Sequence, residues 1–185
     1  NVRSEGHAEI WVAHGDSMSE GSPFSLLAQA IRASAGMVDG ESLVVRQMKL
    51  RARIARNVPL AEQARVSEFL AEIVGASFSE EASVQLRAAR QDPRLMGDQM
   101  RAAFEELVAG ECASRPLVVV LEDLHWGDLP SVKFIDTVLR NLVELPLMVV
   151  AFARPEVEEL FPGLWKERSL TELRLAPLSK RAAEQ

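Results

Sequence analysis

The sequence predicts an α/β fold organised on a parallel sheet, and three observations carry that expectation. Residues 117–121 (LVVVL) form an unbroken apolar run rich in β-branched side chains, the pattern of a strand buried on both faces, and 147–152 (LMVVAF) read as a further strand. The stretch after each run carries apolar residues at three-and-four spacing, which lets a helix bury one face. Proline, glycine and aspartate stand at the joints, where one element must stop and the next begin. Strands alternating with helices in this way give a parallel sheet with right-handed crossovers.

Taken in order, residues 8–13 (AEIWVA) read as the first strand, leaving the sheet through the turn His14-Gly15-Asp16. Ser22 then suits a helix N-cap and Pro23 the first helical position. Phe24, Leu27, Ala28 and Ile31 form the inward stripe, and Gly36 ends the helix. No strong strand signal occurs from residue 40 to residue 115. Four helices are expected there, at 43–58, 60–74, 80–90 and 93–113, divided by Pro59, Gly75 and Asp92-Pro93. They make a helical insert over 40–115 within a single domain spanning 1–185.

Pro116 introduces the second strand at 117–121. Pro130 opens a helix that turns Phe134, Ile135, Val138, Leu139 and Leu142 inward. The third strand, 147–152, stops at Ala153-Arg154-Pro155, and a short helix runs to Phe161. A fourth strand is expected at 170–175 (LTELRL), then Pro177 and a helix starting at Ser179.

The 185 residues suffice for one domain with a real core and are too few to argue for two. An apolar share of 48% and a charged share of 26% belong to an ordinary globular chain. With 21 basic against 27 acidic residues, the net charge of −6 offers no general basic face, so direct nucleic-acid binding is not expected. Arg46, Lys49, Arg51, Arg53 and Arg56 do cluster, but Leu50, Ile54 and Val58 between them mark the wet side of an amphipathic helix. Cys112 is the single cysteine, which excludes an intrachain disulfide or a cysteine-rich zinc site. No window reaches the apolar length of a membrane span, and residues 1–8 lack a signal peptide's apolar core. A cytoplasmic location with no membrane partner is therefore expected. The chain opens without Met, and a piece of a longer protein is expected.

In parallel α/β sheets, ligands gather at the carboxyl ends of the strands. Glu122-Asp123 ends the second strand, with His125-Trp126-Gly127-Asp128 close behind. A carboxylate at the tip of a buried strand is held rigidly yet close to water, which suits hydrated Mg²⁺. An adjacent acid can orient or deprotonate a water attacking a phosphate. Taken alone, an apolar run ending in two acids is more often a chain meeting solvent than a site. Arg154, alone, reads as a surface arginine paired with Glu156 or Glu158. His7, His14 and His125 fall at no metal-ligand spacing, and His125 is expected to shape its loop. Ser17, Ser19 and Ser22 lack the nucleophile elbow of a hydrolase. Trp126 is expected to pack beneath the loop.

The full string LVVVLEDLHWGDLPS changes that balance. It resembles the Walker B segment of the AAA-like, STAND-type P-loop ATPase modules of bacterial multidomain regulators. Those modules are fused to serine/threonine kinases, nucleotide cyclases or helix-turn-helix transcription factors. WVAHGDSMSEGSPF resembles their second strand and following helix, and LTELRLAPL their last core strand, so the likeness covers residues 10–24 and 116–178. The resemblance implies a P-loop NTPase-like three-layer fold and an ATP-binding, ATP-hydrolysing regulatory switch. ATP and Mg²⁺ would be cofactors of the parent protein, and a fused effector domain its partner. It also implies that Glu122 or Asp123 helps hold Mg²⁺, that Asp123 activates the attacking water, and that Arg154 stabilises charge on the phosphoryl oxygens. Glu122 stands where most such ATPases carry Asp, which leaves the division of roles between the two acids open.

Phosphate binding in that class needs G-x-x-x-x-G-K-[ST], whose backbone N–H groups wrap the phosphates. No such Walker A string occurs in this chain, which is therefore expected to bind nucleotide weakly or not at all. By resemblance the loop falls one strand and one helix ahead of the first strand here. The family's sheet order, 5-1-4-3-2, would place the loop-bearing strand beside 147–152 and leave that edge unpaired without it. Two repairs are expected: residues 170–175 move in beside 147–152, or a second copy pairs there and makes a homodimer. Two other functions stand against the ATPase. One is a non-catalytic ATPase-like scaffold whose insert docks a partner. The other is an acidic metal pocket made of Glu122, Asp123 and Asp128.

Overall fold

Three parallel strands, β1 (Glu9–His14), β2 (Leu117–Glu122) and β3 (Leu147–Ala151), lie side by side in the order β1-β2-β3. The computed structural model describes residues 8–19, 22–79 and 83–175, so the helix expected from Ser179 lies outside the described residues. Register sets Trp11 against Val119 and Val119 against Val149, with Ala13, Leu121 and Ala151 aligned a pleat further on. The helices are α1 (Ser25–Ser34), α2 (Leu43–Ile54), α3 (Leu60–Val74), α4 (Val84–Gln91), α5 (Pro93–Ser114), α6 (Leu129–Asn141) and α7 (Val157–Leu160). No described helix is long and apolar enough to cross a membrane.

Burial along the strands corrects one expectation. Leu117, Val119 and Leu121 are buried, whereas Val118 and Val120 are only half-buried. Both crossovers step the same way across the sheet, and right-handed crossovers repeated in one direction put their helices on one face. That face carries Trp11, Ala13 and the buried residues of β2. The other presents Ile10, Val12, Val118, Val120 and Val150 half-buried, and Met148 59% exposed. Among the described residues, then, the strands are not buried on both sides. The apolar run is legible in the sequence, but the layer that would cover its second face is not among these helices.

The fourth strand does not form. Residues 170–175 are irregular, Leu173 and Leu175 are exposed, and Arg174 pairs with Glu158 and Glu172. A strand needs a partner to satisfy its backbone, and this segment joins no ladder. Consequently the first of the two repairs is absent, and β3 has β2 as its one neighbour in the described sheet.

Local signals set several helix ends. The side chains of Ser42, Ser83 and Asp92 accept backbone N–H bonds at the starts of α2, α4 and α5. Gly36, at φ 67°, supplies the left-handed turn after α1. The start of α1 departs from expectation: Ser22 and Pro23 lie outside the helix, and Phe24 precedes it with a left-handed backbone and no cap of its own. The Phe134 ring meets those of Phe24 and Phe104 at tilted angles, tying α1, α5 and α6 into one core.

Arg53 is a second departure. It is 4% exposed and bonds Glu111 at 2.7 Å and Glu9 at 2.9 Å, so it is no part of the wet side of α2. Burial pushes the Glu111 carboxyl above its ordinary range, against the pull of Arg53. This cluster stitches α2 and α5 to the start of β1. Arg51 lies over the Phe78 ring and Lys49 pairs with Glu41, so neither offers a free basic patch.

Candidate functional site

Parallel pairing brings the three strand ends to one rim. The ladder continues past the strands: Gly15 N–H donates to Glu122 O at 2.8 Å, Phe152 N–H to Leu121 O at 2.8 Å, and Leu124 N–H to Phe152 O at 2.9 Å. These bonds set His14-Gly15, Glu122-Asp123 and Phe152-to-Arg154 next to one another.

Asp123 has φ 50° and ψ 43°, a left-handed backbone that costs a side-chain-bearing residue energy and is best tolerated by Asp and Asn. The turn that follows is a short 3₁₀ helix, Leu124–Trp126, closed by Trp126 N–H to Asp123 O at 2.8 Å. Gly15 presses on the same carbonyl. A Cβ there would stand 2.2 Å from Asp123 O, so only glycine fits. The Asp123 backbone is thus clamped, while its side chain is 61% exposed.

The two acids have different neighbours. Glu122 Oε2 meets His14 Nδ1 at 2.8 Å, both side chains being substantially exposed. Asp123 Oδ1 lies 4.0 Å from Nε2 of His125, whose ring is buried. His125 Nδ1 accepts the backbone N–H of Arg154 at 3.4 Å. Arg154 is exposed and makes no ion pair among the described residues, while Glu158 is taken by Arg174. The surface pairing expected for Arg154 is therefore not formed. Trp126 is half-buried against the His125 ring and lines an apolar cleft with Pro23, Pro130, Leu160 and Phe161.

Asp128 behaves otherwise. Its Oδ1 accepts the N–H of Phe24 and of Ser131, each at 2.8 Å. Its Oδ2 accepts Ser25 Oγ–H at 3.0 Å and Leu26 N–H at 3.2 Å. One buried carboxylate thereby caps α6, where it precedes the helix, and α1, which supplied no cap. Ser131 Oγ adds a bond from Leu27 N–H at 3.3 Å. The α6 half of this device was readable in Asp128-Leu129-Pro130-Ser131, a capping pattern; the α1 half joins distant residues and left no local signal.

With its oxygens so used, Asp128 cannot serve in the acidic metal pocket with Glu122 and Asp123. Among the described residues, no group of three or more His, Cys, Asp or Glu is placed to hold a metal ion. Glu122 and Asp123 do fit a water-rich Mg²⁺, which takes one or two carboxylates and draws its other ligands from water and phosphate. They do not fit a cation needing an all-protein cage. Comparison with protein-family models, with curated proteins and with solved structures finds no match to this chain.

Proposed function

We propose that this chain is part of an ATP-binding, ATP-hydrolysing switch domain of the AAA-like, STAND-type P-loop class, working within a larger regulatory protein. The observation that carries the reading is the rim of polar groups at the strand ends: Glu122 at the tip of β2, paired with His14, and the exposed Asp123 and Arg154 that follow β2 and β3. The order β1-β2-β3 agrees with the 4-3-2 stretch of that class's sheet. The edge of β3 that has no neighbour among the described residues, and the half-exposed apolar face beside it, suit a strand–loop–helix unit bearing G-x-x-x-x-G-K-[ST]. Such a unit would complete the three-layer fold.

In this reading Glu122 and Asp123 would hold Mg²⁺, and Asp123 takes the proton of the attacking water on a carboxylate oxygen. Bound Mg²⁺ would supply charge neutralisation on the phosphates. Arg154, exposed and without an ion-pair partner among the described residues, would stabilise charge on the phosphoryl oxygens. The fused effector domain is the partner that reads the bound state.

Calorimetric titration with Mg·ATP, on this chain and on one extended at the amino end by a strand–loop–helix unit of the parent, tests the reading. Binding by the extended chain alone is expected. Binding by neither removes the ATPase and leaves the non-catalytic scaffold. That alternative has one observation in its favour: Val44 and Met48, one turn apart on α2, are 73% and 62% exposed. Sedimentation of the same samples reports whether a second copy pairs on the β3 edge.

A further inference from the structure

We propose that His125 is a positioning residue for Asp123: its buried Nε2–H is the donor that fixes the Asp123 carboxylate, and the Arg154 backbone N–H fixes the tautomer that makes this so.

The imidazole itself sets the donor. His125 is 4% exposed, and its Nδ1 accepts the Arg154 N–H at 3.4 Å. A neutral imidazole that accepts at Nδ1 carries its proton on Nε2. That Nε2 is buried and has no hydrogen-bond partner among the described residues. An orphaned buried donor is costly, so its position asks for an acceptor. The Asp123 carboxylate is the group within reach, with Oδ1 at 4.0 Å.

Closing that gap falls to the Asp123 side chain, whose carboxylate lies in solvent. The Asp123 backbone is pinned by Gly15 on one side and by Trp126 N–H on the other, while its carboxylate is exposed. The left-handed backbone at Asp123 is strain of the kind that persists where surrounding structure over-determines a residue. Here it hands the side chain to His125. Trp126, with its ring 5.3 Å from the imidazole, backs His125 from the following position. The ends of β2 and β3 are thereby joined through one ring: a shift of the backbone at Arg154 reaches the Asp123 carboxylate through Nδ1 and Nε2. That the carboxylate so oriented is a water-activating one rests on the function proposed above; the contact itself does not.

Long-range proton–nitrogen correlation NMR on the histidine side chains of the full chain, without nucleotide, tests this. His7→Gln and His14→Gln variants assign the three signals. The expected result is a His125 protonated at Nε2 and bare at Nδ1, with its N–H protected from solvent exchange. Asp123→Ala should shift that resonance and remove the protection. Its side chain is exposed, so the variant is expected to fold. In the complementary series, the Asp123 side-chain carboxylate carbon resonance should move in His125→Leu and return towards its original position in His125→Gln. The glutamine amide can present a donor at the reach of Nε2; His125→Asn, with the shorter side chain, should not restore it. A proton on Nδ1, a rapidly averaging tautomer, or an Asp123→Ala spectrum with the His125 signal unmoved would each overturn the proposal. None of these outcomes touches the ATPase reading. Conversely, failure of Mg·ATP to bind the extended chain would leave the His125 contact standing.

Discussion

Asp128 is buried and takes hydrogen bonds from Phe24, Ser25, Leu26 and Ser131 on its two oxygens. Asp123, at the other end of the same loop, holds its side chain in solvent, with a buried imidazole nitrogen 4.0 Å away. Both acids follow one strand within one motif, yet the fold has saturated one and left the other open. A saturated carboxylate has no lone pairs left for a ligand and acts by holding elements together. An open one contributes little to the fold and stays available for chemistry. Sequence adjacency does not distinguish them; the donors around each do.

The largest expected effect lies at Asp128. Replacing it with Ala removes the caps of α1 and α6 together. Each cap is worth about 1–2 kcal/mol, so a loss of about 3 kcal/mol is expected in denaturant unfolding. Asp128→Asn keeps one acceptor oxygen and should lose about half as much. Gly15→Ala comes next. Its Cβ would sit 2.2 Å from Asp123 O, and relief by backbone displacement should cost about 2 kcal/mol. Asp123→Asn sits at the opposite pole: thermal unfolding should stay within about 0.5 kcal/mol of the parent, because the fold draws little from that side chain. A loss as large as that at Asp128 would break the comparison. The smallest perturbation is a control on the shared core. Burial pushes the Cys112 thiol up to about 11, so at neutral pH it carries no thiolate and should react with thiol reagents only after unfolding.

How far the sequence speaks for itself follows from the range of the interactions involved. The strands at 117–121 and 147–152 were legible because a continuous β-branched run has few other uses, and α3 because Pro59 and Gly75 bound its apolar periodicity. Glu122, Asp123 and Arg154 were legible as candidates because strand ends share a rim in any parallel sheet. What remained hidden was non-local. Arg53 reads as solvated until Glu9 and Glu111 arrive from other elements to receive it. Ser22 and Pro23 form a good local helix start, but a carboxylate from the far side of the insert caps α1 instead. Residues 170–175 have a strand's composition and lack the neighbour that would make them one.

Whether the open carboxylate of Asp123 does chemistry is settled by Mg²⁺-dependent ATP turnover of the extended chain carrying Asp123→Asn, measured beside its thermal unfolding. The expected variant is as stable as the parent, still binds Mg·ATP and has lost hydrolysis by about a hundredfold or more, as removal of a general base does. Turnover by Asp123→Asn at the parent rate would contradict this, and Asp123 would then be a strand-end acid facing water.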